Sequence, residues 1–578
     1  MTMEADDFIR NNDIQNNQAN KLQSEAAEEL GPRVKAVGDR AVVVDPIPKD
    51  TDGVRVAVTD KNSDMSATIF VRSKASDKEI NDTLAKIQSH EIKPLTNEEF
   101  NEKFGADPES MARVKKFAID NGLTVSEADI DSGKVLLQGK VGDFSKAFNV
   151  QFNDYKCDDG DIVRERIGPI SVPKEIGADV QGVVGLDTTS PAKPLSKFPD
   201  QADPPFAPRV ASGFMPNEVA DAYDFPKDSM GAGQSVAIIE LGGGLNLADN
   251  AKYYTEHGLK VPNIQLISVD GAKSNPDGNP RGPDREVALD SQVIGAVAPD
   301  AKQQIIFGTN DSQEQGFVDA ITRAIFPKEG EQQNSAISIS WGRRESKWDP
   351  QVIKTMHMNF KKAALKGITV FAAAGDTGAS DRGDREPDDG KFVTDYPASD
   401  PWVTSTGGTK LSFDESGKAH EVVWNDGDGT WAGGGGVSQI FSRPDFQNGL
   451  DLPTNPHPAN ADGFKDGRGV PDIAGNAASA TPYWIRADGQ TFTIGGTSAV
   501  APLYAALMMR INGSLGRPVG YLNPFLYKHG NDGIFNDITE GNNNGFEAKA
   551  GWDATTGWGS IRGTAFLNQL RKDLGINA

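Results

Sequence analysis

Cysteine is almost missing from this chain: Cys157 is the single one in 578 residues. That count excludes an intrachain disulfide and any thiolate metal cluster, and Cys157, with no catalytic-cysteine context around it, reads as incidental. Long hydrophobic runs are missing as well. No apolar stretch approaches the roughly 20 residues that span a bilayer, so no membrane partner is expected. Residues 1–18 are polar and acidic with no apolar signal-peptide segment, so export would use a route not legible here. Positive charge is in deficit, with 59 Lys and Arg against 82 Asp and Glu, a net charge of -23. Phosphate binding needs a basic surface, so a nucleic-acid partner is excluded. An acidic balance usually serves solubility; it also suits a chain whose carboxyl groups work partly protonated. Histidine is scarce. The six are His90, His257, His357, His420, His457 and His529. None stands in a His-Gly-Thr segment, and the five beyond the first unit read as surface or loop residues, so a Ser-His-Asp enzyme is not expected.

What the chain does hold is a large core's worth of material, with 37% hydrophobic residues, enough for several domains. The stretch around which the rest is organised is Ile494-Gly495-Gly496-Thr497-Ser498-Ala499-Val500-Ala501-Pro502. A strand-like run from Tyr483 to Ile494 leads into the glycine pair, and a small-residue apolar helix follows through Met509. Glycines allow close backbone approach, and free N–H groups at a helix start face any developing negative charge. Gly-Thr-Ser-x-x-x-Pro is how subtilisin-like hydrolases carry a nucleophilic serine. On this stretch alone, a serine that merely caps a helix stays an open alternative. A serine nucleophile also needs a base.

The chain divides by composition. Residues 1–30 form a polar tail. Residues 31–186 mix strands (Ala41 to Val44, Val54 to Val58, Lys134 to Gly139) with helices (Asp77 to His90, Asp107 to Asn121, Val141 to Phe148), which suggests an α+β open sandwich. Thr96 and Glu99 have capping-box spacing and open a further helix. Residues 187–216, rich in Pro, Ala and Ser, read as an exposed linker. From 217 to 578, apolar strands (Ser235 to Leu241, Gln304 to Phe307, Ala336 to Ser340, Thr369 to Ala374) alternate with helices (Arg285 to Ala298, Gln315 to Ala324, Pro350 to Lys366). That pattern describes one doubly wound α/β domain with a parallel sheet covered on both faces. The glycine runs at 242–244 and 433–436 lack the registers of nucleotide-binding loops.

Carboxylates offer the base that histidine does not. Glu286 and Asp290 stand i, i+4 on a helix between Pro283 and Pro299, which puts them on one face about 5–6 Å apart at Cβ. Held away from water, two such groups share a proton at mildly acidic pH, and the pair can take a serine's proton and return it to a leaving amine. A solvated acidic pair would have the same spacing. Asp376 follows an apolar strand at a glycine turn, where a subtilisin-like enzyme would place its oxyanion-hole Asn. An aspartate donates to an oxyanion only when protonated, so this substitution also demands acid pH.

Together these residues resemble the sedolisin, or serine-carboxyl, peptidase family, nearest the kumamolisins, over nearly the whole chain. The resemblance implies that Ser498 is the nucleophile, Glu286 and Asp290 the catalytic carboxyls and Asp376 the oxyanion donor. It also implies that Glu240 and Trp341 join them in a supporting network. The segments Gly434-Gly435-Gly436-Val437-Ser438 and Phe104-Gly105-Ala106-Asp107 fit the same pattern. The implied architecture is a subtilisin-like catalytic domain, with a doubly wound parallel sheet, preceded by an α+β prodomain. That prodomain is an activation propeptide that caps the active site, inhibits it intramolecularly and is removed autocatalytically by cleavage in the linker. The implied protein is an extracellular, monomeric, acid-active endopeptidase acting on proteins and peptides. Near the C-terminus, Asp537 and Asp553, with the carbonyls of Ile538, Lys549 and Gly551, resemble the family's calcium loop, and two carboxylates plus carbonyls are hard oxygen donors suited to Ca²⁺. The loop from Asn542 to Ala550 is shorter than in the kumamolisins, and Lys549 replaces a usual glycine. Asp395 is a candidate for the specificity pocket. Two rival readings remain at this stage: a Ser-His-Asp peptidase, and a catalytically silent binding homologue.

Overall fold

Alternate residues of one buried strand, Ser235–Glu240, divide the second unit into two hydrophobic cores. Val236 and Ile238 face a cluster built from the helices Asp284–Val297 and Val500–Leu515; Ala237 and Ile239 face one built from Gln315–Ile325 and Pro350–Leu365. This is period-2 packing in a sheet covered on both sides. In this computed structural model the described residues are 35–44, 53–157, 162–188, 192–196, 213–279, 282–310, 314–382, 390–427, 431–454 and 466–576. The expected tail, residues 1–30, and linker residues 189–191 and 197–212 lie outside them.

Among the described residues the central sheet has eight strands. Its spatial order is Asn263–Ser268, Lys302–Phe307, Ser235–Glu240, Ala336–Ile339, Thr369–Ala373 and Thr404–Phe413, with Ala419–Val423 and Ile473–Asn476 both paired to the last of these. All pairs are parallel except the one that Ala419–Val423 makes, which is antiparallel. The first strand in sequence lies between Lys302–Phe307 and Ala336–Ile339, so connections leave it in both directions. The carboxyl ends of strands at such a switch point form a crevice suited to ligands. Glu240 ends the first strand, and Ser340 and Trp341 follow the strand beside it. Two details differ from the sequence reading. The run from Tyr483 to Ile494 is a hairpin of two antiparallel strands, Tyr483–Ala487 and Gln490–Ile494. Its turn is Asp488-Gly489, both at positive φ, the Asp-Gly signal of a tight hairpin. The strands Asn263–Ser268 and Thr404–Phe413 add to those the sequence pattern marks.

The N-terminal unit carries a four-stranded antiparallel sheet in the order Val180–Val184, Asp64–Val71, Lys134–Lys140, Thr124–Asp129. Thr96 and Glu99 form the expected capping box, and Ser76 with Glu79 forms a second. The sheet and the helix Pro108–Asp120 share one core. Phe70, Ile80, Leu84, Phe100 and Val184 instead join the second unit's cluster, against Phe317, Trp348 and Phe360. Buried charge crosses this contact: Lys134 Nζ lies 3.2 Å from Asp319 and 2.9 Å from Asp270, and Thr68 Oγ donates to Asp319 at 2.9 Å.

Candidate active site

Ser498 sits in a single 3₁₀ turn, Thr497–Ala499, directly before the Val500–Leu515 helix. Gly496 precedes it at φ 115°, and a Cβ there would lie 2.6 Å from Leu195 O and 2.8 Å from Asp376 Oδ2. The position therefore requires glycine both for its backbone and for its space. Thr497 fixes the neighbouring aspartate: its N–H and its hydroxyl donate to Asp376 Oδ1 at 2.8 and 2.7 Å. The segment leading into the strand at Gly436 reaches the turn at Gly375 and Asp376 through Gly434, whose N–H donates to Gly375 O at 2.8 Å. The 433–436 glycines thus allow two backbones to touch beside Asp376.

Glu286 and Asp290 lie on one face of the Asp284–Val297 helix, and both are buried, at 1% and 0% exposure. The alternative of a solvated acidic pair is thereby removed. Ser340 Oγ donates to Asp290 Oδ2 at 2.7 Å, while Ser498 Oγ donates to the carbonyl of Ser340 at 3.3 Å. Trp341 Nε1 donates to Glu240 Oε2 at 3.0 Å, and Glu240 is fully buried. Neither carboxyl oxygen of Glu286 has a well-formed hydrogen bond, although the hydroxyls of Ser196 and Ser498 favour its charged form. Burial outweighs them and, with Asp376 nearby, raises Glu286 above the ordinary carboxylate range. Burial also raises Asp290 well above the ordinary range, aided by the charges of Glu240 and Glu286. Glu240 is raised by burial and by Glu286, against the Trp341 hydrogen bond. Three neighbouring carboxyls in one dry site cannot all ionise, so protons are held among them.

A segment of the chain's own linker lies in the crevice. Lys193–Pro194 pairs antiparallel with Trp341–Arg344, Lys193 opposite Gly342 and Pro194 opposite Trp341. Leu195 N–H donates to Ser340 O at 2.9 Å, and Ser498 N–H donates to Leu195 O at 2.8 Å. Leu195 and Ser196 are buried, so the linker is not exposed along this stretch as its composition suggests. The peptide is added to a strand edge, and its Leu195 carbonyl points at the amide of the candidate nucleophile. A cavity of about 280 Å³ opens beside Pro194, lined by Leu241, Gly242, Pro283, Glu286, Trp341 and Asn310.

Sequence reasoning did not single out Ser340, which bridges Asp290 and Ser498, nor Leu195. It also missed Asp284, whose carboxyl accepts from the N–H groups of Gly244, Asp277 and Gly278 at 2.7, 2.7 and 3.2 Å and so ties down the loops beside Glu286. Its position two residues before Glu286 is the one signal it offers. The histidines need correction, since His357 and His529 are buried. His357 pairs with Asp400, and His529 with Asp532 and Asp573; neither has Ser498 as a partner. His457 lies outside the described residues. Asp395 is fully buried against Gly342, its carboxyl pushed well up by burial and by Asp381.

The C-terminal loop gathers the five residues named as calcium ligands. Gly551 N–H donates to Asp537 Oδ2 at 2.9 Å, and Lys549 N–H donates to Asp553 Oδ2 at 3.1 Å. Both aspartates therefore face the same short loop. Among the described residues no group of three or more His, Cys, Asp or Glu converges. A cation here would rely on two carboxylates and backbone carbonyls, a donor set that fits calcium.

Comparison with known proteins shows the family. Residues 51–189 match the Pro-kumamolisin activation domain, and residues 246–512 match the Subtilase family. The chain is 42% identical to kumamolisin of Bacillus sp. (strain MN-32) over 496 residues, covering 84% of this chain and 87% of that one. It is 30% identical to sedolisin of Pseudomonas sp. (strain 101) over 440 residues, covering 73% and 72%. Among solved structures it is similar to Pseudomonas sedolisin, a serine-carboxyl proteinase complexed with pseudo-iodotyrostatin. That match has a TM-score of 0.55 at 29% identity and covers 63% of this chain and 99% of that one.

Proposed function

Because the chain belongs to the sedolisin family of serine-carboxyl peptidases, on its kumamolisin side, and carries an activation domain, we propose that it is an acid-active endopeptidase made as a self-processing zymogen. Residues 31–186 are the propeptide, 187–216 the cleaved linker and 217–578 the peptidase domain. Ser498 Oγ attacks the scissile carbonyl carbon while Glu286, left ionised because the proton of the carboxyl cluster rests on Asp290, takes the serine's proton. Asp290 orients Glu286 and shares a proton with it; Glu240, held by Trp341, adds a further carboxyl to that store. The oxyanion rests on the Ser498 N–H and on protonated Asp376. Glu286 then returns its proton to the leaving amine, and water, activated by the same carboxylate, releases the acyl group from Ser498.

The observation that carries this reading is the Leu195 carbonyl on the Ser498 amide, 2.8 Å away, with buried Glu286 beside the same serine. The first bond to break is therefore Leu195–Ser196. Acidifying purified full-length protein and following it by mass tests both claims. A new N-terminus at Ser196 in the first product, and an intact Ser498→Ala precursor, are expected. An activity optimum near pH 8, or linker cleavage in Ser498→Ala at the wild-type rate, overturns the carboxyl mechanism.

The mature enzyme acts on proteins and peptides, is secreted and works as a monomer. Asp537 and Asp553, with the carbonyls of Ile538, Lys549 and Gly551, hold one Ca²⁺, which would brace the C-terminal loop and take no part in the chemistry.

A further inference from the structure

The linker strand touches protein differently along its two edges. One edge is paired with Trp341 and Gly342, and Leu195 N–H is held by Ser340 O. The other edge faces the cavity beside Pro194, where Pro194 itself has no N–H to offer. On that side a side-chain amide meets the strand: Asn310 Nδ2 donates to the carbonyl of Ala192 at 3.0 Å. Asn310 is half-buried and lines the cavity. It also stands close to the catalytic network in the chain, because Gly308 N–H donates to the carbonyl of Glu240 at 2.9 Å and anchors the start of its loop.

We propose that Asn310 is a substrate-binding residue that holds the main-chain carbonyl of the residue four places before the cleaved bond. The bond is made to backbone, so it reads the length of a peptide and not its side chains. It gives the site a grip on extended substrates, on the edge opposite the added strand. This rests on the peptidase reading above, with residues 192–195 standing where a substrate lies.

The test uses mature enzyme and two chromogenic peptides built from the linker. Acetyl-Ala-Lys-Pro-Leu-p-nitroanilide presents a carbonyl at the fourth place, and acetyl-Pro-Leu-p-nitroanilide ends before it. The ratio of kcat/KM for the long over the short peptide is expected to fall roughly three- to tenfold in Asn310→Ala, the worth of one net hydrogen bond, mainly through KM on the long peptide. A ratio is independent of how much of the variant is correctly folded. Asn310→Leu, which keeps much of the shape and has no donor at any pH, is expected to lower the ratio likewise and serves if the alanine variant does not mature. A ratio equal to wild type in either variant overturns the role of Asn310 and leaves the peptidase reading intact. A wild-type enzyme that cleaves neither peptide overturns both.

Discussion

The amide of Ser498 donates to the carbonyl oxygen of Leu195 at 2.8 Å, across a sequence separation that spans the linker and most of the peptidase domain. One hydrogen bond thus joins the linker to the turn of Ser498, and everything that shapes that turn bears on the proposed processing.

Gly496→Ala should abolish linker cleavage. The new methyl group would sit 2.6 Å from Leu195 O and 2.8 Å from Asp376 Oδ2, on a backbone at φ 115° that an L-residue rarely adopts. Backbone strain alone is worth roughly 1–3 kcal/mol. Processing followed by mass, with thermal unfolding as the control for folding, checks it.

Ser340→Ala removes the 2.7 Å hydrogen bond to Asp290, which favours that carboxyl's charged form. Its loss raises an already elevated pKa, so the acid limb of the pH–activity profile should move to higher pH. Leaving the buried acceptor unpaired costs about 1–3 kcal/mol, and kcat should fall by one order of magnitude or more. An unshifted acid limb would count against Asp290 as Glu286's proton partner.

Stability should fall as pH rises through the mildly acidic range. Glu286, Asp290 and Glu240 have folded pKa values raised above their unfolded ones. The folded state therefore keeps protons that the unfolded chain has released. Their stabilisation is fully present below about pH 4 and is lost as pH climbs towards the folded values. Lys362 and Lys366, buried at the prodomain contact and held down to about 8 and 7, act in the opposite sense, but only above pH 7. Unfolding midpoints of the Ser498→Ala precursor between pH 4.5 and 6.5 measure the slope; a rise with pH across that window would refute it.

Lys134→Met should loosen the prodomain. Asp319 is fully buried and depends on Lys134 at 3.2 Å and Thr68 at 2.9 Å. Removing one partner of a buried ion pair typically costs about 3–5 kcal/mol. In the Ser498→Ala background the expected readout is a lower denaturation midpoint at neutral pH, with a smaller loss in acid, where Asp319 takes up a proton.

Chelation is expected to lower the unfolding midpoint of the mature domain, and added Ca²⁺ to restore it. Asp537→Asn should blunt this response. A midpoint indifferent to both chelator and calcium would remove the ion from the C-terminal loop.

Sequence by itself determined the elements whose reasons are local. The capping box at Thr96 and Glu99, the helix after Pro283 and the unbroken apolar run at Ser235–Glu240 all follow from spacing along the chain. So does the placing of Glu286 and Asp290 on one helical face. Other features depend on partners distant in sequence. Asn263–Ser268 is a half-exposed edge strand, and Thr404–Phe413 is rich in threonine, serine and glycine, so neither shows the apolar signal of a central strand. Whether the two carboxyls were solvated or dry could not be read from i, i+4 spacing, because burial comes from what packs on the helix. Only tertiary structure brought Ser340 between Asp290 and Ser498 and laid residues 192–196 of a loop-like segment against Trp341 and Asn310. Spacing is a property of the chain, whereas desolvation and the meeting of remote groups are properties of the packed sheet, and in this protein it is those that turn a serine and three carboxyls into one site.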